Sequence, residues 1–394
     1  PEVVVLEPHM VFDYMEEEPL NSSERCLRKA VDYMKWSSVK YEAVRDICEK
    51  DKEQTVVSFL FPALRFHERW NDLQEQDFGT NEQMMLSGLK GFSGLSGKNT
   101  DSYNWVDGKE KCQEHEPMVP VMQEYLDKIV KLCKEEEISL FLFMAPSRDC
   151  SIEKYTAILD YAEKKEIPYI DLNEKNIYEE LNYDYNQDNV VFNHVNIWGA
   201  WKVTNYLGKE IKERCSLTKV VDEQWEQTKS AYELKMSECE LQYENNFLKY
   251  LNMITEMKQS DNYCIMAAVR GDGAKALEEK EVMALDLLGI KTDLTEHVGD
   301  SYCVLLSGAE RFEEAGKESM HLSGCLRQGK SFYEIQSGGY QGGDECHIII
   351  DGKDYAQNAR GINLVIYNNM LGKVVDSVAF DTHEKEFTAV RQWK

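Results

Sequence analysis

Short apolar runs alternate with amphipathic stretches through the first half of the chain. Val3–Leu6 reads as one strand. Ile138–Ala145 is a second, apolar enough along its whole length to be buried on both faces. Ile167–Leu172 is a third. The spacing predicts helices over Pro117–Glu136, Ser151–Lys165 and Trp198–Cys215. Strand, helix, strand in this order implies a parallel sheet with helices on its faces.

Residues 216–260 contain neither Pro nor Gly, and carry Trp225, Tyr232, Leu234, Met236, Leu241 and Phe247 at roughly helical spacing. They predict one long helix or a helical hairpin, acting as a spacer or packing element. From residue 261 the pattern changes. Glycine becomes frequent, and short apolar runs predict strands at Tyr263–Val269, Tyr302–Leu306, His347–Ile350, Gly361–Tyr367 and Val374–Phe380. A helix is predicted over Ala274–Leu288, and Asn368–Gly372 reads as a hairpin turn. The expectation is an α/β domain over 1–215, a helical linker over 216–260, and a small β-rich α+β domain over 261–394.

Charge narrows the function classes. Lys plus Arg number 45 against 71 Asp plus Glu, a net charge of −26. That argues against a nucleic-acid phosphate surface and against electrostatic docking on anionic lipid. No run of about 18 apolar residues would span a bilayer. The chain opens at Pro1, inside what reads as a core strand, so upstream residues are expected, with any signal or anchor among them. The eleven cysteines form no C-x-x-C pair, which speaks against a zinc site of the usual spacing. Cys264, Cys303, Cys325 and Cys346 could pair among themselves. No cofactor-binding pattern is evident.

The segment most informative for chemistry is Phe192-Asn-His-Val-Asn-Ile-Trp-Gly-Ala200. It sets His194 at a loop-to-helix junction beyond the last predicted strand, where an open α/β sheet presents its crevice. A histidine there can serve as general base to a serine. The residues alone also fit an ordinary histidine flanking a helix start. The block resembles the final catalytic block of SGNH-type hydrolases, in the DltD-like and polysaccharide O-acetylation branch, written D-x-x-H followed by N-x-x-G-A. Pro1–Phe12, Phe61–Trp70 with Asp77-Phe78, Lys90-Gly-Phe92 and Ala145–Arg148 fit the same branch. The resemblance implies an SGNH-like parallel sheet and acyl-ester handling without a cofactor.

On that resemblance His194 is the base, and Arg65, His67, Arg148 and Asn196 are candidates for substrate contact. The chain departs from the pattern twice. The serine block expected after the first strand is absent, and Val191 stands where the acid of D-x-x-H would fall. Asp188 is the nearest upstream acid and the candidate orienter of His194. Gly91-Phe-Ser-Gly-Leu-Ser-Gly97 has a superficial G-x-S-x-G look. A polar loop follows it, so Ser93 and Ser96 are poor nucleophiles.

The last domain resembles the interleukin-like EMT inducer family, through Tyr263–Val269, Gly361–Tyr367 and Gly372–Thr382. That resemblance implies glycan binding, with Tyr333, Tyr340 and Tyr355 as candidate stacking rings. Together the two resemblances imply an extracytoplasmic, membrane-anchored protein that transfers or hydrolyses acyl esters on a cell-surface polysaccharide. The implied partners are that polysaccharide and a membrane-bound O-acyltransferase. The alternative is a non-catalytic glycan-binding surface protein on a degenerate SGNH scaffold.

Overall fold

The computed structural model describes residues 1–12, 28, 31–32, 34–50, 55–61, 95–98, 112–147, 149–190, 194–218, 222–259 and 262–391. The chain is mixed α/β, with a three-stranded parallel sheet and several antiparallel sheets. It divides into two compact units: Pro1–Thr80 with Gly97–Lys219, and Asn81–Ser96 with Val220–Lys394.

In the first unit β1 (Val3–Leu6), β2 (Ser139–Met144) and β3 (Tyr169–Asp171) pair in parallel, in sequence order. Among the described residues β1 is an edge strand. Helices α1 (Ser38–Lys50) and α2 (Val56–Leu60) belong to the same unit. Helices α3 (Pro120–Glu135) and α4 (Ile152–Lys165) cover one face of the sheet. There Leu140, Leu142 and Met144 meet Leu126, Val130, Ile158 and Tyr161. Phe141, Ile170 and Leu172 point the other way, onto Tyr178, Val203 and Leu207. Those partners come from α5 (Lys175–Glu180) and α7 (Ile197–Arg214), with the one-turn α6 (Tyr185–Asp188) between them. Burial on both faces is why β2 lacks polar alternation. A two-residue antiparallel pair, β4 (Asn189–Val190) with β5 (His194–Val195), precedes α7.

The second unit opens with α8 (Glu223–Leu241) and α9 (Phe247–Lys258), a hairpin. Of the spacer and packing readings for 216–260, the structure has the packing one, because both helices belong to a core. Leu241, Phe247, Tyr250, Leu251 and Ile254 pack with Ile265, Leu364 and Phe380. Glu238 of α8 is buried and accepts hydrogen bonds from Tyr263 Oη at 2.9 Å and Asn368 Nδ2 at 2.8 Å.

Six strands form one antiparallel sheet in the order β15-β14-β13-β6-β7-β8. They are β6 (Tyr263–Arg270), β7 (Ser301–Ser307), β8 (Glu310–Gly316), β13 (Gly361–Asn368), β14 (Lys373–Asp381) and β15 (Thr388–Val390). Helix α10 (Glu279–Leu288) joins α8 and α9 on its outer face. Its inner face meets a second sheet, β12-β11-β10-β9. Those strands are β9 (Met320–Leu326), β10 (Ser331–Ser337), β11 (Cys346–Ile350) and β12 (Lys353–Asp354). Cys264, Met266, Leu305, Tyr333, Ile335, Ile348 and Val365 fill the space between the two sheets. Cys264, Cys303, Cys325 and Cys346 are all free thiols.

Candidate functional site

At the carboxyl edge of the parallel sheet, β2 runs into Ala145-Pro-Ser147 and β3 into Leu172-Asn173. Asn173 ties these loops together. Its Oδ1 accepts from Ser147 N at 2.8 Å, and its Nδ2 donates to Ala145 O at 3.0 Å and to Asp171 Oδ1 at 2.8 Å. Asn189 Nδ2 donates to Pro146 O at 3.3 Å, while the Tyr183 hydroxyl donates to Asn189 Oδ1. The β4–β5 pair is thereby fixed at this edge, and Val190 is paired with His194. His194 is exposed, and no hydrogen bond to its ring occurs among the described residues.

Asp188 does not orient it. The Asp188 carboxylate is buried beneath α7, and its Oδ2 accepts from Lys202 Nζ at 2.6 Å and from Asp184 N at 2.7 Å. Lys202 also donates to Asn182 O at 2.6 Å. This is a structural ion pair that satisfies a buried charge. Asn196 is likewise structural. Its Oδ1 caps α7 by accepting from Trp198 N and Gly199 N, and its Nδ2 donates to Gln187 O at 2.6 Å and Gly97 O at 3.0 Å. With both amide atoms engaged, it has little left for a substrate. Gly199 lets the helix approach this closely, since a Cβ there would collide with the Asp188 carbonyl.

Ser96 Oγ lies 3.5 Å from Gln242 Oε1, and its carbonyl accepts from the Tyr243 hydroxyl. Arg65, His67, Ser93 and Arg148 lie outside the described residues. So do most of the inserted segment and the Lys90–Phe92 match.

Sequence reading missed Asp171, the most perturbed carboxylate of this edge. It is fully enclosed, and burial pushes its pKa up to about 6, against the pull of the donors Tyr169 Oη and Asn173. The Cys150 thiol sits 3.9 Å away. Nothing in the local pattern marks Asp171, because its burial comes from the distant residues that close over the strand end.

The second region is one end of the β-sandwich, where the loops 271–273, 338–344, 358–361 and 381–384 meet. The close approach needs glycine. Gly271 bridges Gly339, and a Cβ on Gly361, where φ is +111°, would strike the Phe380 carbonyl. Polar and charged side chains line the rim in pairs. Arg360 makes a two-pronged contact with Asp381, with Nη2 to Oδ2 at 2.8 Å and Nε to Oδ1 at 3.2 Å. Burial opposes ionisation of Asp381, but the guanidinium and the His383 N–H outweigh it and hold the carboxyl below its usual range. His383 Nδ1 lies 2.7 Å from Asp272 Oδ1. Arg270 Nε donates to Asp344 O at 2.8 Å.

Tyr340, on the 338–344 loop, is 77% exposed, with its backbone N–H held by Gly299 O at 2.9 Å. Of the three tyrosines singled out from sequence, only Tyr340 offers a solvent-facing ring. Tyr333 points into the core between the sheets, and Tyr355 packs partly against the same core with Lys353 Nζ 4.9 Å from its ring centre.

Among the described residues no group of His, Cys, Asp and Glu is arranged to hold a metal, and no helix is long and apolar enough to cross a membrane. No family model, no curated protein and no solved structure matches this chain.

Proposed function

We propose that this chain is a glycan-binding surface protein, in which the β-sandwich unit recognises a cell-surface polysaccharide through the rim around Tyr340. The observation that carries the reading is a 77% exposed tyrosine on a loop that meets others carrying paired polar and charged side chains. The Arg360–Asp381, His383–Asp272 and Arg270–Asp344 pairs supply those groups. A tyrosine face offers an apolar platform to the C–H face of a sugar, and the paired charges offer donors and acceptors to its hydroxyls. The resemblance to the interleukin-like EMT inducer family points the same way. On this reading the first unit is an SGNH-like scaffold whose acid has been turned to structural use, and the chain works outside the cytoplasm. The test is retention of the full chain on immobilised cell-wall polysaccharide. Wild type should be retained, and Tyr340→Ala should elute early. Equal elution of the two would overturn the assignment.

One observation favours a second reading, acyl-ester chemistry on the same polysaccharide. His194 presents an exposed imidazole, with no hydrogen-bond partner among the described residues, at the carboxyl edge of the parallel sheet, where a Ser–His dyad would need its base. A membrane-bound O-acyltransferase would then supply the acyl group. With a serine block of the SGNH type joined to the chain, this reading requires turnover of an activated acetyl ester that disappears in His194→Ala. Turnover unchanged by that substitution would exclude His194 as the base.

A further inference from the structure

The β14–β15 loop links the charged rim to a second feature of the same unit. Asp381, His383 and Glu384 belong to the rim, and the next three residues, Lys385, Glu386 and Phe387, line an open cleft of about 400 Å³. Asn245, Asn246 and Phe247, at the start of α9, form its other wall. We propose that this cleft is a saccharide subsite for one or two rings of a neutral glycan, continuing the binding surface from the rim. The proposal rests on the glycan-binding reading and deepens it.

Four observations converge. The volume lies within the usual range for small-ligand clefts. The apolar part is the half-buried Leu248 and Phe387, the Phe387 ring resting edge to face on the core ring of Phe247, 5.5 Å away at 78°. The polar part offers both donors and acceptors. Asn245 Oδ1 accepts from Arg391 Nη1 at 2.7 Å, and Asn246 Oδ1 caps α9 by accepting from Lys249 N at 3.0 Å. With their oxygens engaged, both amides have N–H groups that no other described residue accepts, and the exposed Glu386 carboxylate likewise has no donor among the described residues.

The charges also balance. Lys280 stands 3.6 Å from Glu281 and 3.4 Å from Glu278, while Lys385 and Glu386 are adjacent in sequence. Glu281 is further committed to the Glu278 backbone N–H at 3.0 Å. The lining lysines and glutamates of the cleft therefore cancel, on a chain whose net charge is −26. An anionic ligand gains nothing there. A polyhydroxylated ligand with one apolar face matches the lining.

The test uses the full chain and saturation-transfer NMR with cellobiose, maltose, lactose and N,N′-diacetylchitobiose as neutral probes, and digalacturonic acid as the acidic one. At least one neutral disaccharide should bind, and digalacturonic acid should not. Phe387→Ala should weaken that binding about tenfold. Because loss of Phe387 also disturbs the core, Glu386→Arg serves as a surface variant that fills the cleft and should have the same effect. Binding lost in Tyr340→Ala but untouched by both cleft variants would overturn the subsite and leave the glycan reading standing. Absence of binding by every probe and by immobilised polysaccharide would overturn both. Preference for digalacturonic acid would contradict the neutral-ligand assignment.

Discussion

Asp171 and Asp188 show how two carboxylates at one sheet edge are given different tasks. Asp188 has a lysine, and Lys202→Met should leave its charge buried and unpaired, lowering stability by roughly 3 kcal/mol in denaturant titrations. Asp171 has only neutral donors, so burial dominates and its pKa stands near 6, against an ordinary 3.8. The direction of the pH effect follows. A raised folded-state pKa contributes stability that is fully present below about pH 4 and is lost as pH rises through about 6. The contribution is on the order of 3 kcal/mol, from a shift of about two units. Asp171→Asn should flatten that slope between pH 4 and 6. An unchanged slope would show that Asp171 does not titrate in this window. At this scale the sequence exposed His194 and Tyr340, whose side chains do face solvent. It misassigned Asp188 and Asn196, because their roles depend on partners brought together by the fold. Lys202 stands fourteen residues from Asp188, and Gly97 ninety-nine from Asn196.

Among the elements, α7 depends on its cap. Asn196→Ala removes the bonds to Trp198 N and Gly199 N and two more to the Gln187 and Gly97 carbonyls, and should cost about 1–2 kcal/mol. A shift in melting temperature too small to detect would contradict the role given to this side chain. The strands read most clearly from sequence were those buried on both faces, β2, β6 and β13, because their apolar runs are continuous. The strands β8, β9 and β10 escaped detection. On β10 the outward residues Phe332, Glu334 and Gln336 alternate with inward Ser331, Tyr333, Ile335 and Ser337. An exposed phenylalanine and buried serines blur that alternation. Buried Ser337 donates to the Val269 carbonyl, which explains a polar residue inside the sandwich. Strand β8 is largely exposed, so its sequence, Glu-Arg-Phe-Glu-Glu-Ala-Gly, carries little apolar signal.

For the molecule as a whole, the composition and strand–helix order gave the α/β character of the first unit and the β-rich character of the second. The boundary between them was obscured by the low amphipathicity of α8, whose attachment comes through single residues such as Glu238 and Leu241. A fragment starting at residue 262 should therefore fail to fold, since it loses Phe247, Tyr250, Leu251 and Ile254 from its core. A fragment starting at residue 222 should show a cooperative melt. Equal stability of the two would mean that the helices are dispensable. The central claim is that the sandwich rim holds a glycan. Hydrogen–deuterium exchange of the full chain, with and without saturating cell-wall polysaccharide, tests it most directly. Glycan held at the rim should slow exchange only at 338–344, 358–361 and 381–387. Protection confined to the edge around His194, or no protection anywhere, would contradict it.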